Sequence, residues 1–303
     1  MDVSDIEMLE AIVRHGSINK ASESLHVTQP TLSKRLGRLE YKLGTPLFLR
    51  SSSGLTPTAH TNFIIDSSDP IRRRLHNIER HIELMNALER GDLHLGVGPI
   101  VEQLYFPYAL LRLTQSPSSQ LNVSIRTETA AELKELVITG AVDVAVGPFE
   151  QSMASDEYEI FPIASQPLMV AARSGHAIAT KMLAGELTQE DVLSQPLISP
   201  HMPDYMAEPF ELLRRLDTSR IVCDNYSVIK GVLHASDYIS LGPTAVFSAE
   251  AQEGSLVLMP LPQPITWFAA CVARPESACL PVIQRVIETF REYELPTVSW
   301  QGS

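Results

Sequence analysis

The chain has 303 residues, 44% of them hydrophobic and 20% charged. That balance excludes a disordered or fibrous protein, and the length points to two or three domains. The net charge of −12 argues against a chain coated along its whole length in nucleic acid. The charge is uneven, however. His26 to Arg50 carries Lys34, Arg35, Arg38, Lys42 and Arg50 against Glu40 alone, whereas from Gly91 onward 12 Lys and Arg face 25 Asp and Glu. A basic N-terminus on an acidic body fits a DNA reader whose larger part stays off the phosphates.

In chain order, Ser4 and Glu7 form a capping box for a first helix that buries Ile6, Leu9, Ile12 and Val13 and stops at Gly16. Ser17 caps a second short helix carrying Ala21 and Leu25, and His26-Val27 makes the turn. Thr28 caps a third helix, whose first turn tolerates Pro30 because those N–H groups lack partners. Leu32, Leu36, Leu39 and Leu43 share one face of it, and Gly44 ends it. Pro46 to Arg50, the turn Ser51 to Gly54, and Leu55-Thr56 read as a small hairpin, or wing.

Thr56-Pro57 reads as a fresh helix start, with an interruption at Asp66 to Pro70. The helix resumes with Ile71, Leu75, Ile78, Ile82 and Met85, a heptad seam flanked by Arg72, Arg73, Arg74 and Arg80. We read the seam as self-associating, giving a homodimer; the alternative is one amphipathic helix lying on a globular core.

After Gly91 strands and helices alternate: LHLGVGP, a helix near Phe106 to Thr114, LNVSIRT, a helix near Ala130 to Thr139, then VDVAVGP. This is a parallel α/β unit. A second unit follows with LMVAAR, PLISP, a helix over Pro209 to Leu216, RIVCDN, a helix at Ser227 to Ala235, and YISLGP. A strand at Thr266 to Ala273 and an amphipathic helix at Pro281 to Tyr293 close the chain. Four strands end at a small residue and a proline: Gly98-Pro99, Gly147-Pro148, Ser199-Pro200 and Gly242-Pro243. Ligands of open α/β sheets bind beyond the carboxyl ends of strands, so these ends mark a small-molecule cleft rather than loop punctuation. Its expected lining is Gly98, Pro99, Ile100, Thr127, Thr129, Gly147, Pro148, Ser199, Pro200, His201, Asn225, Gly242 and Thr244. His201 is the one titratable candidate, with a plain loop histidine as the alternative.

With its leucines inward, the third helix points Pro30, Lys34, Gly37 and Tyr41 outward, with Thr31, Ser33 and Arg38 on the flanks. Gln29 can pair bidentately with adenine, Lys34 can reach guanine, and Pro30 or Thr31 can touch a thymine methyl. Thr28, Ser33 and Arg38 suit phosphate. An enzyme is not expected: neither G-x-S-x-G nor H-E-x-x-H occurs, Gly96-Val97-Gly98 lacks the third glycine of a dinucleotide fingerprint, and the histidines show no ligand spacing. No cofactor or metal is therefore expected. Cys223, Cys271 and Cys279 form no C-x-x-C pair, and the first ten residues carry four acids where a signal peptide would be cationic. No run reaches the ~18 apolar residues of a membrane span. A cytoplasmic protein with ordinary buried, reduced cysteines and no membrane partner is expected.

The stretch Ile6 to Thr56 resembles the winged helix-turn-helix of LysR-type transcriptional regulators. The resemblance is carried by Gly16-Ser17, Ala21, Leu25, Val27, Thr28-Gln29-Pro30, Leu32-Ser33, Leu39-Glu40, Leu43-Gly44, Leu47-Phe48, Arg50 and Leu55-Thr56. It continues more weakly through Gly91-Asp92-Leu93, Gly140 to Ala145 and Ser240-Leu241-Gly242. It implies an α/β chain with an N-terminal winged helix-turn-helix at 1–58 and a linker and dimerisation helix at 59–90. It further implies a two-lobed, periplasmic-binding-protein-like effector domain at 91–303. Lobe 1 would span about 91–163 and 268–303, and lobe 2 about 164–267. It also implies Arg50 as a DNA contact and a homodimer that pairs into a tetramer on double-stranded DNA. The chain departs from the family pattern at Ser51 to Ser53, where a second base is usual, at Ala59-His60, and at Pro70. The expected function is sequence-specific DNA-binding regulation of transcription, switched by an effector between the lobes. The rival is an effector-independent repressor or architectural protein, whose strand ends would be packed shut.

Overall fold

The computed structural model describes residues 1–51, 54–86, 90–115, 120–203, 206, 213–214 and 221–296. The Ser52-Ser53 tip of the wing, the Arg50 and Met85 side chains, and most of the helix expected over Pro209 to Leu216 lie outside the described residues. The chain divides into two compact units, Met1–Glu79 and Arg80–Ser303.

In the first unit, α1 (Val3–His15), α2 (Ile18–Ser24) and α3 (Gln29–Leu43) precede a hairpin of β1 (Phe48–Ser51) and β2 (Gly54–Pro57), and α4 (Ala59–Asn86) follows, its residues up to Glu79 belonging to this unit. The capping box of α1 is Asp2 with Asp5, not Ser4 with Glu7. Arg35 of α3 bonds both carboxylates, at 2.6 Å to Asp2 and 2.7 Å to Asp5, so the box that forms is the one a third helix clamps. Met8, Leu9, Ala11 and Ile12 of α1 pack with Ala21, Leu32, Leu36, Leu39, Leu47 and Phe48 as one core. Val13 and Leu43, expected inside, are 37% and 41% exposed. Val13 lies 100° past Ile12 on the helix, and Leu43 occupies the last turn before Gly44. His26 takes a left-handed φ of 56° in the α2–α3 turn.

The wing is held by approach as much as by pairing. Leu55 N donates to Gly16 O at 3.0 Å, and a Cβ on Gly54 (φ 122°) would lie 2.7 Å from that same oxygen. Thr56-Pro57 does not start the next helix: Pro57 pairs with Phe48 inside the hairpin, and α4 begins at Ala59. Nor is α4 interrupted, since Pro70 sits inside a continuous helix. Proline removes one donor and its ring crowds the preceding turn, yet the helix runs on through Pro70.

The second unit contains β3 (Arg90–Val97), α5 (Pro99–Thr114), β4 (Gln120–Thr127), α6 (Ala130–Ile138), β5 (Val144–Gly147), β6 (Glu159–Arg173), α7 (Ala177–Leu183), α8 (Gln189–Leu193), β7 (Ile198–Ser199) and β8 (Ile221–Val222). Then come α9 (Tyr226–Ala235), β9 (Ser240–Pro243), α10 (Ser248–Gln252), β10 (Leu256–Pro260), β11 (Thr266–Ala273), α11 (Pro275–Ala278) and α12 (Pro281–Glu292). The principal sheet runs β10-β6-β11-β5-β3-β4, with β9 also on β6. β3 pairs in parallel with β4 and β5. The segment LMVAAR is no separate strand; it is the second half of β6, which spans 15 residues. Up to Pro167, β6 pairs with β11; from Leu168 it pairs antiparallel with β9 and β10. One strand therefore runs through both lobes of a curled mixed sheet. That is why the second lobe is not the purely parallel unit expected: its first strand inherits its direction from the first lobe. The parallel pairs there are β7 with β8 and the Leu197–Ile239 bridge.

Two glycines, one of them a helix cap, set up the strand ends. Gly96 lets α6 close on β3, since a Cβ there would meet Leu133 at 2.7 Å. Gly98 caps α5 and donates to Val146 O at 2.8 Å, which ties the end of β3 to that of β5. The cysteines differ from expectation: Cys271 is buried, with its thiol pushed up by burial, but Cys223 is half-buried and Cys279 exposed.

Candidate DNA-reading face and effector cavity

On α3, Leu32, Leu36 and Leu39 face the core. The opposite face presents Thr28, Gln29, Pro30, Thr31, Lys34 and Arg38 exposed, with Ser33 half-buried. Thr28 Oγ1 lies 2.7 Å from Thr31 Oγ1, so these two hydroxyls are arranged together on the first turn. Arg50 sits in β1 opposite Leu55. Two charged residues of this basic stretch have internal tasks. Arg35 is held by Asp2 and Asp5. Glu40, the one acid of the stretch, accepts from Leu47 N at 2.7 Å and anchors the wing. Asp2 and Asp5 lie 33 and 30 residues from Arg35, and Leu47 lies beyond the end of α3, so the periodicity of α3 could not show them.

At the strand ends of the second unit a cavity of about 660 Å³ opens. Gly98, Pro99, Ile100, Thr127, Thr129, Pro148, Pro200 and His201 of the expected set line it. Five do not. Gly147 is buried beside Phe149, and Ser199 is fully buried in β7. Gly242 lies under Phe247 and Tyr226, where a Cβ would meet the Phe247 ring at 2.9 Å. Thr244 belongs to a 3-10 turn, Thr244–Phe247. Asn225 borders an adjoining hollow, and its Oδ1 accepts from Ser227 N at 2.9 Å as the N-cap of α9. An Asn directly before an apolar helical run is an N-cap signal, and that signal was present in the sequence.

The titratable wall is richer than His201. Glu128, Glu132, Lys134 and Asp224 also line the cavity. His201 Nδ1 lies 2.7 Å from Asp224 Oδ2, and His201 N donates to Asp224 Oδ1 at 2.8 Å. The Thr129 hydroxyl donates to Glu132 at 2.7 Å within the capping box of α6, and this bond holds the Glu132 carboxyl below its ordinary range. Trp267, Met153, Met202 and Met206 complete much of the apolar wall. Met153, Met202 and Met206 lie in segments that follow the proline-ended strands β5 and β7, whereas Trp267 comes from β11, which has no such end. Among the described residues no cluster of three His, Cys, Asp or Glu could hold a metal, and no helix is long and apolar enough to cross a membrane.

A helix-turn-helix with a polar cationic front, carried on a chain with an α/β ligand-type cavity, defines the class of ligand-responsive transcription regulators. Residues 3–61 match the bacterial regulatory helix-turn-helix protein of the LysR family, and residues 86–294 match the LysR substrate binding domain. The chain belongs to the LysR family: it is a DNA-binding transcriptional regulator modulated by a small-molecule effector. It is 25% identical over 261 residues to the SDS degradation transcriptional activation protein of Pseudomonas sp. (strain ATCC 19151), covering 86% of this chain and 85% of that one. It is 26% identical over 179 residues to the RuBisCO operon transcriptional regulator of Allochromatium vinosum, 59% of this chain and 58% of that one. The fold is similar to that of DNA-bound DarR from Vibrio fischeri (TM-score 0.62, 14% identity, 97% and 100% covered). It is also similar to ArgP from Mycobacterium tuberculosis (TM-score 0.59, 17% identity, 96% of each).

Proposed function

We propose that residues 1–58 read one DNA half-site, that 59–90 pair two chains, and that 91–303 bind the effector. The lobes divide at about 163–164 and 267–268. Gln29, Pro30, Thr31 and Lys34 meet base edges near the start of α3; Thr28, Ser33, Arg38 and Arg50 hold phosphate. The observation that carries the pairing is the stripe Ile71, Leu75, Ile78 and Ile82 on α4, 40% to 51% exposed along a heptad. Isolated exposed hydrophobics need no explanation, but four in one seam favour burial by a second copy, with further pairing into a tetramer on DNA. The protein works in the cytoplasm, where its operator is.

The effector occupies the 660 Å³ cavity lined by Gly98, Pro99, Ile100, Thr127, Thr129, Pro148, Pro200 and His201. Its openness favours this reading over an effector-independent repressor, whose strand ends would be filled by side chains. Selection of bound duplexes from a random-sequence library tests the reading of DNA as pairs. Recovered sites are expected to carry two related half-sites separated by whole or multiple helical turns. Recovery of single half-sites would rule out the paired reader.

A further inference from the structure

The cavity has a chemistry that narrows what it binds. Its apolar wall includes Ile100, Pro148 and the three methionines Met153, Met202 and Met206. Methionine is unbranched and polarisable, so such a wall adapts to a hydrocarbon surface. The ionisable groups lining it are three acids, Glu128, Glu132 and Asp224, and two bases, Lys134 and His201. His201 is already engaged by Asp224. Lys134 also borders a hollow lined by Glu128, Glu132 and Glu135. No arginine lines the cavity among the described residues. An anion moved from water to this wall would lose hydration and meet more carboxylates than free cations.

One polar group on the wall has no use inside the protein. Trp267 is 2% exposed, and its Nε1–H has no acceptor among the described residues. Indole is a donor only, and a buried donor without an acceptor is unfavourable. Its cross-strand neighbour Gln166 already accepts from Ala245 N at 3.0 Å through Oε1. Because the indole borders the cavity, a molecule that packs against it can supply the acceptor.

We infer that the cavity takes a mainly hydrocarbon molecule that carries no anionic group and bears a hydrogen-bond acceptor such as a carbonyl, which Trp267 Nε1–H engages. This rests on the cavity being the effector site. The full-length protein is titrated with two fluorescent dyes of the same ring system, neutral N-phenyl-1-naphthylamine and anionic 1-anilinonaphthalene-8-sulfonate. The neutral dye should bind at least about tenfold more tightly, and Met153→Trp, which puts a bulkier side chain on the cavity wall, should weaken its binding. Benzophenone should displace that dye at about three- to tenfold lower concentration than diphenylmethane, which has the same shape without the carbonyl. Trp267→Phe should erase this advantage while keeping dye binding.

Equal or tighter binding of the sulfonate would overturn the exclusion of anions and leave the effector cavity standing. Equal displacement by the two competitors, or an advantage that survives Trp267→Phe, would overturn the role of Trp267. No saturable binding of either dye, or binding indifferent to Met153→Trp, would overturn the inference together with the cavity reading. The dye and competitor comparisons on the unsubstituted protein stand even if a variant fails to fold.

Discussion

Arg80 of α4 and Asp143, at the start of β5, form an ion pair at 2.8 Å with both side chains 4% exposed. Arg80 also donates to Gly140 O at 3.0 Å, and Asp143 accepts from His94 N at 2.9 Å. The end of α4 is thereby fastened to β3 and β5, the two strands whose far ends, Gly98 and Pro148, line the cavity. Arg72, two turns earlier, bonds Glu10 of α1 at 2.6 Å. The same helix carries both anchors.

Arg80→Met should destabilise the protein by about 3–5 kcal/mol, because removing one partner leaves the other buried without its paired charge. Burial already pushes the Asp143 carboxyl above its ordinary range, opposed by Arg80. Without Arg80 its folded value climbs further. An acid with a raised folded value contributes stability below its unfolded value, lost as pH rises through the folded one. The deficit of the variant should therefore shrink toward acidic pH, as measured by urea unfolding from pH 5 to 8. A deficit independent of pH would contradict the pairing.

Gly54→Ala should cost the first unit about 1–3 kcal/mol, since it adds a Cβ 2.7 Å from Gly16 O at a left-handed φ. Thermal unfolding followed by circular dichroism measures the loss. Gly37→Ala is the control, because nothing lies within 4 Å of a Cβ there.

Ile78→Glu combined with Ile82→Glu should yield monomers in sedimentation, because each residue is about half exposed on the α4 stripe in the single chain. Dimers that persist would remove the stripe from the assembly.

Lys34→Ala should weaken operator binding more than non-specific binding, by about 1–3 kcal/mol for a lost base contact. Arg38→Ala should weaken both alike and lower the salt dependence by about one ion. Fluorescence anisotropy at several salt concentrations separates the two, and equal losses for Lys34→Ala would make it a phosphate contact.

Local rules made the helix-turn-helix legible. The leucines of α3, the glycine stops at Gly16 and Gly44 and the turn at His26 follow from spacing and backbone preference, which short segments carry by themselves. The strand–helix alternation and the proline-ended strands were legible for the same reason, and they led to the cavity. Long-range partners were not. Nothing in the spacing tells that Arg35 is spent on Asp2 and Asp5, that Glu40 holds the wing, or that Arg80 finds Asp143, because each pair closes over chain that the pattern does not encode.

By itself, then, the sequence determined the reader's helices, the apolar seam of α4 and the strands β3, β4, β5 and β11, since each depends on a pattern within one element. Only the tertiary structure decided which bases face outward and that β6 serves both lobes. It also decided that Trp267 and three methionines line the cavity while Gly242 and Thr244 do not. Those facts depend on which elements pack together, and burial, not local spacing, chooses that.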